Sequence, residues 1–393
     1  MKDSKSSKRD SELESLLHSE QRVTVEKMAV GGSGIGRIQF NGKPVVVFIP
    51  YSAPEDELTV KISQVEKNFL IGETLQIHQK SPHRTDPLCE YFGKCGGCLW
   101  QHLKLDSQIA QKELILTDLF KKFLPDVTYS LKPTIQGEQP FHYRNRIQLK
   151  QIGSTIGYFK HESHEIVPIQ NCQIAEKSLQ NLIKDFSTKV KPSKELKKWE
   201  LKISQNDQVE YYPVGERGEG IAFSQVNRSV NELLVKQVVK LTQQIQPKEI
   251  TELYAGAGNF TFPIAKELPQ ASITAVELGG SLTASAVETM KSLKLHKQIT
   301  FFTTSCENYS NSTKPVSKDF VLLDPPRSGC HADVIRRLAT ENPEAILYIS
   351  CHPVSLVRDI KPLMTNYTIE HLQIFDMFPQ TDHFETVCLL KSK

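Results

Sequence analysis

The chain has 393 residues, a formal net charge of +3 at pH 7 and 24% charged residues. This length suffices for two or three domains with cores of their own. The small net charge does not by itself identify a nucleic-acid binder, although a local basic surface is compatible with it. No apolar run reaches the roughly 18 residues of a membrane span, so we expect a cytoplasmic protein without membrane contact.

The chain begins with a polar segment and continues with a region of short strands. Residues 1–21 are charged and serine-rich and lack the apolar core of a secretory signal, so we expect a disordered or flexible tail. Residues 22–80 contain alternating runs such as Arg22-Val-Thr-Val-Glu-Lys, separated by glycine turns such as Asn41-Gly42. Five strands of this kind predict an OB-like β-barrel, with another small β module as the alternative.

A central α+β segment follows, over residues 81–225. Helical patterns at residues 106–123 and 175–188 accompany a mostly β pattern. The stretch Phe141-His-Tyr-Arg-Asn-Arg146 mixes aromatic and basic side chains, as RNA-binding surfaces do when they combine base stacking with phosphate contacts. A lysine-rich run at residues 189–202 is a second candidate for phosphate contacts, and a solvated charged face is its alternative.

Eight cysteines in a chain without a secretory signal argue against a disulfide framework. Three of them, Cys89, Cys95 and Cys98, follow the spacing C-x5-C-x2-C, and Cys172 is a candidate fourth ligand from a distant loop. Clustered cysteines of this kind predict a metal site. The spacing alone does not separate a four-cysteine zinc site from a [4Fe–4S] cluster.

Residues 226–393 alternate between helical patterns and apolar strands, which predicts a doubly wound, mostly parallel sheet of the Rossmann-like α/β class. The seven candidate strands are residues 249–254, 272–277, 299–303, 320–324, 345–350, 368–375 and 385–390. Helical patterns separate the first five. Because no helix separates the last two, we expect them to form a terminal antiparallel pair.

A glycine loop after the first of these strands is a candidate cofactor site. In Glu252-Leu-Tyr-Ala-Gly-Ala-Gly-Asn-Phe260, Gly256 and Gly258 permit a tight turn and a close approach of the backbone to a ligand. Glu277 ends the next strand, where an acidic residue would bind ribose hydroxyls. NAD and S-adenosylmethionine (SAM) both use this geometry. Thr261 replaces the third glycine of the dinucleotide motif, which favours SAM because SAM has no pyrophosphate.

A cysteine at the end of another strand is the candidate nucleophile. Cys351 ends the apolar run that begins at Ala345, and Pro353 starts a helical pattern that continues over residues 354–364. A thiol beside a helix N-terminus lies near the positive end of the helix dipole, so we expect a lowered pKa and a thiolate. The alternative is an inert buried thiol.

The loop Asp324-Pro-Pro-Arg-Ser-Gly329, called here the proline loop, ends the fourth strand. It lies at the edge of the sheet where ligands of open α/β folds bind. Amino-group methyltransferases place an aromatic residue after the two prolines to stack on the base. This chain has Arg327 there, which disfavours methylation of an exocyclic nitrogen.

Together these motifs resemble those of the RNA uracil-C5 methyltransferase family, closest to its 23S rRNA branch. The four matching motifs lie in the family's order at residues 253–260, 323–329, 350–353 and 383–387. Residues 22–77 resemble the family's TRAM domain, and the cysteine group resembles its iron–sulfur site. The resemblance therefore covers nearly the whole chain.

The resemblance implies SAM-dependent methylation of carbon 5 of a specific uridine in 23S rRNA, through a covalent adduct between a cysteine and carbon 6. It makes Cys351 the nucleophile and Glu385 the general base that removes the carbon-5 proton. It also favours a [4Fe–4S] cluster over zinc, in a structural role. The matching SAM-contacting residues are Gln225, Tyr254, Asn259, Glu277 and Asp324, and Gly256 joins them from the glycine loop.

Three positions depart from the family pattern. His352 stands where asparagine usually follows the nucleophile, and Phe384 replaces a valine before the general base. Ser305 occupies a position that is usually acidic or an amide, so we leave it outside the predicted site. The departure at His352 touches the active-site loop, whereas Phe384 is interpreted as a packing change.

Two other functions compete with the 23S rRNA reading. The first is a tRNA uracil-C5 methyltransferase that uses the same residues, and the second is a non-catalytic RNA-binding protein that retains the SAM fold. Methylation of cytosine is disfavoured because those enzymes carry a Pro-Cys nucleophile and this chain has no Pro-Cys dipeptide. We expect a monomer whose partner is structured RNA.

Overall fold

The computed structural model describes residues 13–204, 206–215 and 225–393. The chain forms two compact units. The first consists of Met1–Ile115, Gln148–Trp199 and Phe378–Asp382, and the second of Leu116–Ile147, Glu200–Met377 and His383–Lys393. Within the described ranges, no helix is both long and apolar enough to cross a bilayer.

Five strands close into a barrel in the order β1-β2-β3-β5-β4, which confirms the predicted β-barrel. The strands are β1 (Glu20–Met28), β2 (Gly34–Phe40), β3 (Lys43–Ile49), β4 (Glu57–Val65) and β5 (Phe69–Gln79). Leu13 and Leu16, around the short 3₁₀ turn Glu14–Leu16, are buried in the barrel's core. The ordered chain therefore starts before residue 22. Of the expected tail, residues 1–12 lie outside the described residues.

The middle of the chain contributes two helices and a five-stranded sheet. The helices are α1 (Leu105–Phe123) and α2 (Lys177–Lys189), close to the predicted ranges. The sheet has the order β11-β10-β7-β8-β9. Its strands are β7 (Arg146–Gly153), β8 (Thr155–Phe159), β9 (Ile166–Pro168), β10 (Ser193–Ile203) and β11 (Val209–Pro213).

The second unit holds an eight-stranded sheet that includes all seven predicted C-terminal strands. Its order is β14-β13-β12-β15-β16-β18-β17-β6. The predicted strands are β12 (Glu249–Leu253), β13 (Ser272–Glu277), β14 (Ile299–Thr303), β15 (Phe320–Leu323), β16 (Ala345–Ser350), β17 (Tyr367–Asp376) and β18 (Glu385–Ser392). The first five pair in parallel, and β17 and β18 form the expected antiparallel pair. The eighth strand, β6 (Leu131–Gln136), pairs in parallel with β17 and was not predicted.

Helices connect the parallel strands, so the α/β alternation is confirmed. The connecting helices are α4 (Thr261–Glu267), α5 (Gly280–Ser292), α6 (Cys306–Ser310) and α7 (Ala332–Glu341), whereas α3 (Arg228–Ile245) precedes β12 and α8 (Pro353–Ile360) follows β16. After β12 the chain builds β13 and β14 on one side, then returns to build β15 and β16 on the other. The strand order therefore reverses between β12 and β15, where open α/β sheets bind ligands at the strands' carboxyl ends.

Candidate active site

A cavity of about 540 Å³ lies at this edge of the sheet. All eight predicted catalytic and cofactor residues line it, namely Gln225, Tyr254, Gly256, Asn259, Glu277, Asp324, Cys351 and Glu385. The loops after β12, β13, β15 and β16 supply most of them. β18 runs antiparallel to β16, so its first residue, Glu385, comes to the same edge. Leu278, Leu282, Ser305 and Cys306 also line the cavity and were not predicted.

The glycine loop is fixed by the acidic residue that ends β13. Gly256 N–H donates to Oε2 of Glu277 at 2.9 Å, and Gly279 N–H donates to Oε1 at 2.7 Å. Gly256 has φ of +57° and Gly258 of +90°, in the region that favours glycine. Each carboxylate oxygen of Glu277 has a second lone pair, so the side chain retains acceptors for the hydroxyls of a ribose.

Two polar contacts position the remaining side chains of this loop. Asn259 exchanges reciprocal amide hydrogen bonds with Asn231 of α3, at 3.0 and 3.2 Å. Tyr254 adopts φ of +64°, and its N–H donates to the Cys306 sulfur at 3.3 Å. Asn231 was missed from the sequence because it lies on a helix whose pattern indicates only an amphipathic core contact.

Thr261, at the position of the missing third glycine, binds a buried acid instead. Its hydroxyl donates to Oε2 of Glu252 at 2.5 Å and so ties the start of α4 to β12. Glu252 is 1% exposed, and among the described residues its Oε1 has no hydrogen-bond partner. Burial, reinforced by Asp324, raises the pKa of Glu252 to about 8.

The acids that face the nucleophile hold protons more tightly than usual. Burial raises the pKa of Asp324 to about 7. Burial and then Asp324 raise the pKa of Glu385 well above its ordinary value, against the opposing effect of Arg327. Glu385 is 4% exposed, so its charge is poorly solvated. Asp324 can therefore exchange its proton near neutral pH, and Glu385 binds a proton more tightly than an ordinary glutamate does.

The expected lowering of the Cys351 pKa is wrong for the protein alone. Burial first, then Glu385 and Asp324, raise the pKa of this thiol to about 12, and Arg327 opposes them only in part. The adjacent helix N-terminus is real, since α8 begins at Pro353. Its dipole is outweighed because burial and two neighbouring carboxylates both penalise a thiolate.

His352 caps the helix that follows the nucleophile. Its Nδ1 accepts the Ser355 N–H at 3.4 Å and lies 2.9 Å from the Ser355 hydroxyl. An asparagine Oδ1 would lie one bond beyond the γ atom, as the histidine Nδ1 does, and asparagine is a preferred N-cap. The side chain found in place of the family's asparagine therefore keeps an N-cap acceptor. Ser355 Oγ also donates to the Arg327 carbonyl at 2.7 Å, which ties the cap to the proline loop.

The proline loop is held by a buried aspartate on α8. Asp359 Oδ2 accepts from the Cys330 N–H and from the Tyr348 hydroxyl, both at 2.7 Å. Its Oδ1 accepts from Arg358 Nε at 2.7 Å. Gly329 has φ of +82°, and a Cβ there would lie 2.4 Å from Asp359 Oδ2. The contact therefore requires glycine and fixes the loop against β16 and α8.

Arg327 is the only lysine or arginine among the described residues that line the cavity. Its Nη2 lies 3.1 and 3.2 Å from the two ring nitrogens of His383. The guanidinium also lowers the pKa of both Cys351 and Glu385, but this effect is weaker than that of burial. Among the described residues, the cavity thus combines two thiols, Cys306 and Cys351, with several carboxyl groups and one cation.

The four candidate metal ligands lie in the first unit. Burial first, then Cys172 and Cys89, raise the pKa of Cys95 to about 11, so these three sulfurs influence one another. Gly97 N–H donates to the Cys95 sulfur at 3.4 Å, and the Tyr158 hydroxyl donates to the Cys172 sulfur at 3.8 Å. Across the described residues, no three His, Cys, Asp or Glu side chains are grouped as ligands of a single metal ion.

Part of the predicted RNA-binding stretch instead supports the fold. Tyr143 is buried, and Arg146 pairs at 2.8 Å with Glu200, which is 1% exposed. Asn145 is buried, and its Nδ2 donates to the Gln225 carbonyl at 3.0 Å. Tyr143 and Asn145 are therefore buried away from RNA, whereas RNA contact by the rest of the stretch stays a prediction.

Comparison with known proteins extends these findings. Residues 201–393 match the tRNA (Uracil-5-)-methyltransferase family, and residues 14–75 match the TRAM domain. An uncharacterised RNA methyltransferase of Bdellovibrio bacteriovorus is 37% identical over 386 residues, covering 96% of each chain. A 23S rRNA (uracil(1939)-C(5))-methyltransferase of Shewanella sediminis is 30% identical, covering 94% of this chain and 96% of its own.

One solved structure shares the fold over most of the chain. It is the Pyrococcus abyssi tRNA (uracil-54, C5)-methyltransferase in complex with S-adenosyl-L-homocysteine. Its TM-score is 0.70 at 23% identity, over 94% of this chain and 100% of that chain.

Proposed function

The chain belongs to the RNA uracil-5-methyltransferase family, and from this premise we propose that it methylates carbon 5 of one uridine in 23S rRNA. One observation carries the proposal. A single cavity brings together a thiol, a buried carboxyl group and a glycine loop closed by an acidic residue. These are the groups that addition to a pyrimidine, removal of a proton and binding of a nucleoside cofactor require.

SAM supplies the methyl group, and this chain's loops supply its binding surface. Glu277 binds the ribose hydroxyls, and Tyr254, Gly256 and Asn259 line the same part of the cavity. Gln225 and Asp324 complete the contact. Two observations support this assignment, namely the glycine turn with its positive φ angles and the free acceptor capacity of Glu277.

Cys351 attacks carbon 6 of the uracil, and the added electrons make carbon 5 nucleophilic toward the donor's methyl group. With a pKa of about 12, the thiol must lose its proton to a neighbouring base as it attacks. Asp324 lines the same cavity as Cys351 and is the proposed acceptor of this proton, which its pKa of about 7 allows near neutral pH. Arg327 then offsets the negative charge that remains in the site.

Glu385 removes the proton from carbon 5 after methyl transfer, and elimination of the Cys351 sulfur releases 5-methyluridine. The raised pKa of Glu385 suits this task, because a carboxylate that binds protons tightly is a stronger base. The target base is stacked inside folded RNA, so the nucleotide must be turned out into the cavity. That requirement favours a loop or bulge over a regular duplex.

Two relatives bear on the choice of RNA. The Shewanella sediminis enzyme named for 23S rRNA is similar over nearly the full length of both chains. The tRNA enzyme of Pyrococcus abyssi shares the fold, and its lower identity gives no information about substrate. We therefore favour 23S rRNA and retain tRNA as the second candidate. A non-catalytic RNA-binding role is disfavoured because thiol and base face one cavity.

Cys89, Cys95, Cys98 and Cys172 are proposed to bind one [4Fe–4S] cluster with a structural role. A cluster of four irons is larger than one ion, so its ligands lie farther apart than those of a zinc ion. Backbone N–H and hydroxyl donors to the sulfurs are typical of iron–sulfur sites.

The domain assignment that accompanies this function has three parts. We propose that the barrel containing residues 22–80 is the TRAM domain, and Leu13 and Leu16 extend its core toward the N-terminus. We propose residues 81–225 as the cysteine-bearing central domain with RNA-contacting surfaces and residues 226–393 as the catalytic domain. We propose that the protein acts as a monomer on structured RNA.

Transfer of label from SAM tests the proposal directly. Purified, cluster-loaded protein is incubated with labelled SAM and with 23S rRNA or tRNA that lacks 5-methyluridine. Label in 23S rRNA is expected, located at carbon 5 of one uridine. Label only in tRNA would select the second candidate, and no label in either RNA would contradict the enzymatic function.

A further inference from the structure

The loop between β17 and β18 leads directly to the proposed general base. Its residues Phe378–Asp382, called here the base loop, belong to the first compact unit, whereas Glu385 belongs to the second. Glu385 is the first residue of β18, and its pairing with Phe375 is the final pair of the β17–β18 ladder. A residue in the final pair of a ladder has paired neighbours in only one direction along its strand, so strand pairing restrains it less than a residue in the middle.

Gln108 of α1 binds the base loop through both ends of its amide. Its Oε1 accepts the Gln380 N–H at 2.8 Å, and its Nε2 lies 3.1 Å from the Gln380 Oε1. The same Nε2 donates to the carbonyls of Trp100 at 3.1 Å and Leu103 at 2.9 Å. Gln108 is fully buried, so these bonds are shielded from water.

Three further contacts hold the base loop within the same unit. Trp100 N–H donates to the Gln380 carbonyl at 3.0 Å, and Lys112 Nζ donates to the Phe378 carbonyl at 3.2 Å. Gly31 N–H, in the first turn of the barrel, donates to Oδ2 of Asp382 at 2.9 Å. Both Trp100 and the Lys112 side chain are buried.

The backbone of the base loop is strained where it is held. Gln380 adopts φ of +71°, a conformation that side-chain-bearing residues rarely adopt. It persists because Gln108 and Trp100 bind both polar groups of its backbone. The loop conformation is therefore imposed by α1 and the segment that follows the cysteines.

We propose that Gln108 is a positioning residue for Glu385 and acts through the base loop. The inference rests on the proposed function, in which Glu385 removes the carbon-5 proton. Loss of Gln108 would leave attack by Cys351 intact, because that residue is placed by β16 and α8. It would slow proton removal selectively, since general-base catalysis needs the carboxylate within hydrogen-bond reach of its proton.

Gln108→Met tests this role, because methionine keeps the length of the side chain and removes its hydrogen bonds. We expect kcat to fall by roughly 10- to 100-fold, with the KM for SAM unchanged within about twofold. The methylated protein–RNA adduct should accumulate above the wild-type level on a denaturing gel. A merely structural role would lower attack and release together and would leave no excess adduct.

Gln111→Met is the matched control. Gln111 lies on the same helix and accepts the Met28 N–H of the barrel at 2.8 Å, and among the described residues it makes no hydrogen bond to the base loop. This variant should show wild-type kcat and adduct level. If Gln108→Met does not fold, Asp382→Ala removes the separate tether to Gly31 and should give the same excess of adduct, to a smaller extent.

Glu385→Gln in the same assay separates this inference from the function on which it rests. If Glu385→Gln accumulates methylated adduct and Gln108→Met does not, the positioning role is refuted and the proposed function stands. If Glu385→Gln itself accumulates none, the assignment of the general base fails. Unchanged iron content in Gln108→Met would exclude an effect through the cysteines near Trp100.

Discussion

The Cys351 thiol should react slowly with alkylating agents at neutral pH and much faster as the pH rises. Burial and two carboxyl groups raise its pKa to about 12, so about 10⁻⁵ of it is thiolate at pH 7, against about 3% of an ordinary thiol of pKa ~8.5. A more basic thiolate is also more nucleophilic, which recovers about 40-fold of that roughly 3,000-fold deficit. We therefore expect alkylation about 100-fold slower than that of an unperturbed thiol.

The assay measures iodoacetamide labelling of the Cys351 peptide by mass spectrometry between pH 6 and pH 10. The rate should rise about tenfold per pH unit throughout, without a plateau. Glu385→Gln removes one of the carboxylates that raise the pKa of Cys351, so labelling of that variant should be faster at the alkaline end of this range, where Glu385 is ionised. A wild-type rate that levels off below pH 9, or a variant that matches wild type, would refute the role given to burial and the carboxylates.

Other predictions concern stability and the metal site. Glu252 has a pKa of about 8 in the folded protein against 4.5 as its ordinary value, so the stability of the wild-type protein falls as the pH rises between these values. Glu252→Gln keeps an acceptor for Thr261 and lacks this titration, so its free energy of unfolding in urea should rise by up to about 4 kcal/mol relative to wild type from pH 5 to pH 9. An equal difference between the two proteins at both pH values would contradict this. His352→Asn should preserve the cap on Ser355 and leave activity within a few fold, whereas His352→Ala should cost about 1 kcal/mol of stability in the same unfolding assay. Anaerobically purified protein should contain about four irons, and Cys172→Ser should lower that content; one equivalent of zinc in the wild-type protein would reject the cluster.

The sequence was sufficient for features that depend on local pattern. The strands of the barrel and of the large sheet follow alternation and apolar runs, and the glycine loop and Cys351 both follow strand ends. β6 was missed because Lys132 and Pro133 interrupt its pattern and much of it is exposed. A proline is unfavourable inside most strands, so nothing local indicated one.

Features that depend on distant partners could not be predicted from the sequence. The pKa of Cys351 is set first by burial and then by carboxyl groups at the ends of two other strands, so the local helix signal gave the wrong direction. Arg146 was a candidate for phosphate contact from the sequence, but its guanidinium forms an ion pair with Glu200. Gln108 carries no motif, and its contact with the base loop joins residues 272 positions apart in the chain.

The most direct test of the proposed mechanism is mass spectrometry of the RNA-linked protein formed by Glu385→Gln. After digestion with nuclease and protease, we expect a Cys351 peptide linked to a nucleotide that already carries the methyl group, because attack and transfer precede the step that needs Glu385. Cys351→Ala should give no linked peptide under the same conditions. An adduct on another residue, an unmethylated adduct, or full turnover by Glu385→Gln would contradict the roles assigned to these two residues.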